Sequence, residues 1–160
     1  MDDETEEYRR AKHSALRRLS MQAMLSNQLA IFLQKRQFTQ EVIERVIKDL
    51  TTLELLNDTE WSASFVRSQS RRKLGPRAIA QKLARKGVRG ESLEKAIEGS
   101  WDASEQKAMI HQLLQTRFSK RDLSDPKERK KVAASLVRRG FDLSLIFRCL
   151  SCKNDDFDEV

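Results

Sequence analysis

Two cysteines, Cys149 and Cys152, stand in a C-x-x-C spacing, and two histidines, His13 and His111, complete the thiolate and imidazole zinc ligands of the 160-residue chain. Such a pair does one of two kinds of chemistry. A structural zinc site takes four ligands of this type, and no second cysteine pair is present to complete one. A dithiol redox centre holds its thiolate at a helix N-terminus after a strand, whereas these cysteines close a helical pattern. Both are read as reduced thiols, with no metal and no cofactor. His13 sits among bases and His111 beside Leu113 and Leu114, so each is read as a surface or packing residue. The chain has no Gly-rich phosphate loop, no H-E-x-x-H, no G-x-S-x-G and no paired inward carboxylates. No catalytic residue is assigned, and the chain is read as a non-enzyme.

The remaining chemistry is charge. Lys and Arg outnumber Asp and Glu by 31 to 24, but five acids lie in Asp2 to Glu7 and four in Asp155 to Glu159, so the body between them is near +16. From Ser62 to Gly90 there is no acid and there are nine bases: Arg67, Arg71, Arg72, Lys73, Arg77, Lys82, Arg85, Lys86 and Arg89. A second cluster, at Lys127, Arg129, Lys130, Lys131, Arg138 and Arg139, follows. A solvated helix face mixes signs to gain i,i+4 pairs, so an unmixed block points to a polyanion, either nucleic acid or an acidic protein surface. The acidic ends are either competitors for that site or solubilising tails.

The elements that must hold these bases repeat along the chain. Leu33-Gln34-Lys35-Arg36-Gln37-Phe38, Leu83-Ala84-Arg85-Lys86-Gly87-Val88 and Leu136-Val137-Arg138-Arg139-Gly140-Phe141 share one pattern, spaced by 50 and 53 residues. Each has an apolar residue, a spacer, two bases, a turn position and a hydrophobe. Apolar residues recur four before each Leu (Leu29, Ile79, Val132) and five and nine after each final hydrophobe (Ile43 and Ile47, Leu93 and Ile97, Ile146 and Leu150). A period near 50 in helical sequence predicts stacked helical modules. Each copy reads as helix, tight turn, helix: Pro76 and Asp125-Pro126 open the first helix, Gly87 and Gly140 stop it, and Thr39 opens the second helix of copy one. Gln37 occupies the glycine position in copy one, so that turn is expected to be costlier or differently shaped.

A third helix is expected after each pair. One is capped near Asn57 with Trp61, Phe65 and Val66 inward, and another is capped by Ser100 or Asp102 with Met109, Ile110, Leu113, Leu114 and Phe118 inward. The third copy ends early, and an N-terminal helix from about Glu6 to Leu19 offers it a partner through Tyr8, Ala11, Ala15, Leu16 and Leu19. Few glycines and prolines, 39% hydrophobic residues and abundant Leu, Ala, Lys, Arg, Glu and Gln make the class all-α. The expected architecture is a tandem array of three-helix modules forming an elongated, curved helical repeat. It divides as an acidic tail and N-terminal helix (1–19), modules at 20–73, 74–120 and a truncated 121–153, and an acidic tail at 154–160. No apolar run is long enough for a membrane span and no basic-then-apolar signal opens the chain, so a cytoplasmic protein is expected. Nothing resembles a long heptad seam, and a monomer is expected.

The repeat, Gly75-Pro76-Arg77, Leu55-Leu56-Asn57-Asp58 followed by Trp61, Phe65-Val66-Arg67-Ser68 and Arg138-Arg139-Gly140-Phe141 together resemble the bacterial RecX family, over residues 11 to 152. The resemblance implies a protein that binds the RecA recombinase filament and restrains filament growth, strand exchange and coprotease activity in DNA repair and recombination. It also implies contact with single- or double-stranded DNA and no catalytic residues. The residues themselves leave three readings open: a filament regulator, a non-specific nucleic-acid-binding module, and an adaptor that uses apolar grooves. For the first two the partner-binding or DNA-binding face is placed at Arg67, Arg71, Arg72, Lys73, Arg77, Lys82, Arg85, Lys86, Arg89, Lys130, Lys131, Arg138 and Arg139.

Overall fold

A computed structural model describes residues 2–98 and 101–151, with side chains from residue 4 onward. Among them are nine helices and no strand: α1 (Asp2–Met21), α2 (Ser26–Gln34), α3 (Gln40–Thr52), α4 (Asp58–Arg71), α5 (Pro76–Arg85), α6 (Glu91–Ile97), α7 (Ala103–Thr116), α8 (Pro126–Arg138) and α9 (Leu143–Ser151). Cys152, Ser100 and the acidic run 155–159 lie outside the described residues. The chain divides into two compact units, Met1–Ala63 and Ser64–Val160.

In the first unit α1 packs along α3 and against α2. The core is Ala11 and Ala15 of α1, Leu29 and Leu33 of α2, and Val42, Ile43, Val46 and Leu50 of α3, with Met24 and Leu56 at its ends. The two alanines, with no exposure, let the helix backbones approach closely. The N-terminal helix read from Glu6 to Leu19 therefore begins earlier and ends later, and it serves the first copy rather than the third. Leu16, assigned to its inward face, is 38% exposed, because the small residues at 11 and 15 form the contact line instead.

Polar ties reinforce this packing. The Tyr8 hydroxyl donates to the Asp49 carboxylate, and Lys12 Nζ donates to Tyr8 Oη at 2.9 Å, joining α1 to α3. The Tyr8 hydrogen bond holds the Asp49 carboxyl below the usual carboxylate range, with Lys12 adding to the effect. Thr39 is the N-cap of α3 but does not cap with its own hydroxyl. Glu7 takes that place, accepting from Thr39 N at 2.7 Å and from Thr39 Oγ1 at 3.1 Å, an acid where the helix dipole favours one. At least this member of the acidic N-terminal run is structural. Asp58, which opens α4, accepts from Ser26 N at 2.7 Å and so caps α2.

All three tight turns close the same way. The residue after the turn position donates to the carbonyl five back: Phe38 to Leu33, Val88 to Leu83 and Phe141 to Leu136. The turn position itself is left-handed, at φ 64° for Gln37, 96° for Gly87 and 88° for Gly140. Gln37 thus adopts the glycine geometry and bears its steric cost, rather than reshaping the turn.

In the second unit, α7, α8 and α9 enclose a core of Ile110, Leu113, Leu114, Phe118, Val132, Ala133, Leu136, Phe141, Ile146, Cys149 and Leu150. The third copy is therefore completed by the helix that precedes it in the chain. Asp125 caps α8 by accepting from Lys127 N, and Asp102 caps α7 by accepting from Glu105 N. The α4–α6 region is thinner: α4 buries Ser62, Val66 and Gln69, α5 buries Ile79 and Leu83, and α6 buries no side chain fully. Trp61 and Phe65, read as an inward stripe, are half-buried. The Trp61 indole N–H donates to the Ala23 carbonyl at 3.1 Å, a packing role rather than an exposed stacking platform.

The start of α5 meets the α8–α9 turn through main chain. Gly75 N donates to the Arg139 carbonyl at 2.7 Å and Arg77 N to the Gly140 carbonyl at 3.2 Å. A Cβ at Gly75 would lie 2.6 Å from the Gly140 carbonyl carbon, and one at Gly140 would lie 2.2 Å from Ala78 N. Both glycines are required by this approach.

Candidate polyanion-binding face

The basic block falls on α4, the α4–α5 link, α5 and the loop after it, and the described residues around it decide how much of each base is available. Arg67 and Arg71 lie on the last turns of α4, exposed. Lys73 has a left-handed backbone, φ 59°, which with the Leu74 N–H bond to the Gln69 carbonyl ends the helix. Arg72 is consequently beyond the helix and exposed, and does not turn back toward the apolar side. Lys82 and Arg85 occupy the last turn of α5, where cations complement the helix dipole whatever else they do.

Several bases are engaged internally. Lys82 Nζ donates to Oε1 of the buried Gln69 at 3.1 Å, and Lys86 Nζ lies 5.6 Å over the Phe65 ring. These two rungs, Lys82 on α5 and Lys86 at its C-cap against Gln69 and Phe65 on α4, join the end of α5 to α4. Arg77 pairs with Asp142 at 2.7 Å, which offsets the cost of a cation in the first turn of α5. The same Asp142 caps α9 through Ser144 N at 2.9 Å. Its Ser144 hydrogen bonds, then Leu145 N and Arg77, hold the Asp142 carboxyl below the usual carboxylate range. Arg139 is half-buried and its Nη1 donates to the Lys73 carbonyl at 3.1 Å. Burial first, and Arg117 second, push the Arg139 guanidinium below its ordinary value. Lys73 itself donates to Gln112.

Lys131 is 2.7 Å from Glu128, which Arg121 also meets at 2.8 Å, so Lys131 is drawn into a local ion-pair cluster. Arg71, Arg72, Arg85, Arg89, Lys130 and Arg138 are exposed, and no acid pairs with them among the described residues. The repeated two-base pattern therefore divides its labour. The second base contacts another residue of the fold in each copy, Arg36 to Ser14 Oγ at 3.1 Å, Lys86 to Phe65 and Arg139 to Lys73, with Arg36 and Lys86 still exposed. The first base, Lys35, Arg85 or Arg138, is exposed in each copy.

The bases around His13, Arg10 and Arg17 on α1, are noted in the sequence but not assigned to a binding face. The signal was present as an i, i+3, i+7 spacing, but the acids just before it masked the local charge. No group of three or more potential metal ligands occurs among the described residues, and no described helix is long and apolar enough to cross a membrane. Cys149 is fully buried in the α7–α9 core. His111 is half-buried and His13 exposed.

Comparisons with known proteins fit this geometry. The sequence profile of the second three-helix domain of RecX matches residues 57–97, and that of the third three-helix domain matches residues 104–150. The regulatory protein RecX of Mycolicibacterium vanbaalenii is 31% identical over 91% of this chain and 83% of its own. That of Mycolicibacterium smegmatis is 29% identical over 88% of this chain and 78% of its own. The crystal structure of RecX from Lactobacillus salivarius matches with a TM-score of 0.80, covering 92% of this chain and 96% of that one at 22% identity, a likeness of fold.

Proposed function

Because the chain belongs to the RecX family of regulatory proteins, we propose that it binds the RecA recombinase filament and restrains its ATPase, strand exchange and coprotease activities. One observation carries the assignment of the surface: Arg71, Arg72, Arg85 and Arg89 stand exposed with no acid paired to them among the described residues, within a run that has no acid, while their equally exposed neighbours Lys82, Lys86 and Arg77 each contact another side chain of the fold. A polymer offers the same acidic surface, or the same bound DNA, at regular intervals. A chain of repeated modules meets such a target with several modest contacts whose effective concentrations multiply. No step of bond making is involved.

The test is RecA ATPase on single-stranded DNA as the chain is titrated in, with its own DNA binding measured in the same buffer. Turnover is expected to fall at ratios well below one chain per RecA. The R71Q/R85Q/R89Q variant is expected to need roughly tenfold more protein for the same effect, the equivalent of about 1.4 kcal/mol of lost contact. Turnover that falls only once the chain saturates the DNA would replace the filament with phosphate competition, the reading that the same exposed bases also suit. No effect at equimolar protein would remove the filament reading.

A further inference from the structure

From the geometry of the first unit we infer a separate phosphate-binding cleft between α1 and the α2–α3 turn, taking the backbone of a nucleic acid. The cleft has a volume of about 420 Å³ and is lined by Arg10, His13 and Arg17 from one face of α1, by Arg36 and Phe38 from the turn, and by Ser14. Glu6 and Arg9 also line it and lie 3.8 Å apart, so they offset one another. Arg10, Arg17 and Arg36 have no acidic partner among the described residues, which leaves three guanidinium charges facing one cavity.

One of these is held in place before any ligand arrives. Arg36 Nη1 donates to Oγ of Ser14, a residue only 9% exposed, at 3.1 Å, and its guanidinium lies 4.7 Å over the Phe32 ring. Two restraints on a planar group fix its fork and reduce the side-chain entropy lost on binding. Arg10 and Arg17 are seven residues apart, about 10.5 Å along the helix, so the row is longer than a single phosphate.

The ligand follows from the donors. Each guanidinium offers five N–H groups and no acceptor, and the uncompensated wall of the cleft is otherwise an imidazole and a hydroxyl. A ligand there must be rich in acceptors and poor in donors. A phosphodiester chain has that character throughout, with Phe38 as an apolar floor for the sugar. An acidic peptide brings a backbone N–H at every residue, and the lining supplies few acceptors for them.

The experiment uses the full chain and a labelled oligothymidylate, without RecA, so its outcome is independent of the filament reading. The R10Q/R17Q variant changes two exposed side chains, and its helix content and unfolding temperature check that it folds. Its affinity is expected to fall about tenfold, and its log-log salt slope to become shallower by about 1.4, two single-strand phosphates. In the parent protein the ring resonances of His13 are expected to move on adding the oligonucleotide, and to move less with inorganic phosphate. Unchanged affinity and slope would overturn the proposal, as would His13 resonances that stay still. So would an equal or larger loss of polyglutamate binding, which would make the cleft a dock for an acidic protein.

Discussion

Gln37 shows how a single residue is asked to do what its type resists. Its left-handed backbone costs roughly 1 kcal/mol more than glycine's would, and the turn it closes is the same as those at Gly87 and Gly140. Q37G is expected to raise the unfolding temperature by about 2–4 °C, the equivalent of that cost for a chain of this size, in a thermal melt followed by circular dichroism. A lower unfolding temperature would mean that the exposed Gln37 side chain contributes more than its backbone costs. At this scale much was legible. The glycines at 87 and 140 located two of the turns, because a positive φ leaves a direct mark on residue choice, and the register of the repeat located the third at Gln37. The contacts of Lys82, Lys86 and Arg139 with Gln69, Phe65 and the Lys73 carbonyl were not legible, since a base looks the same in sequence whether it faces water, an aromatic ring or a carbonyl.

Among the elements, α6 is the weakest. It is a seven-residue helix opened by Gly90 at φ 57°, and its Leu93 and Ile97 are half-buried where Ile146 and Leu150 of α9 are fully packed. A short helix depends on tertiary packing because nucleation is costly, and here there is little of it. Amide hydrogen exchange is expected to find α6 open first, well before α3 and α8; protection of α6 equal to theirs would contradict this. The repeat predicted a helix at this place but not its thinness, because apolar type at the right spacing says nothing of how much surface its neighbours cover. The same limit explains the grouping of helices. Val66 on α4, or Ile110, Leu113 and Leu114 on α7, form stripes that identify a buried face, but no residue within a stripe says whether it turns to the pair before it or the pair after it.

The molecule as a whole stores part of its stability in ionised carboxylates. Asp49, Asp102, Asp122, Glu128 and Asp142 all sit below their ordinary range, mainly through hydrogen bonds from Tyr8, Glu105 N, Ser124, Lys131 and Ser144 respectively. A depressed folded value means that the stabilisation is complete above the unfolded carboxylate range and is lost as pH falls through the lower folded values. The same protonation removes negative charge from a body already strongly basic, adding repulsion. Unfolding temperature is therefore expected to be flat from about pH 7 to 5 and to drop steeply below about pH 4, with D142N less acid-sensitive than the parent. A flat profile down to about pH 3 would show that these contacts exist without contributing. Charge at this scale was legible in the sequence as a total, but its division between scaffold and exposed surface required the fold.

The meeting of Gly75 with Gly140 has a consequence for how such arrays change over time. A joint made of main chain is indifferent to the side chains around it, so the surfaces on either side are free to drift while the connector stays constant. The two positions are expected to vary together or not at all. A single replacement at either breaks the joint, and neither can be compensated by enlarging the other. For recombining segments between related arrays, the rule is that the α5 opening and the α8–α9 turn must travel together.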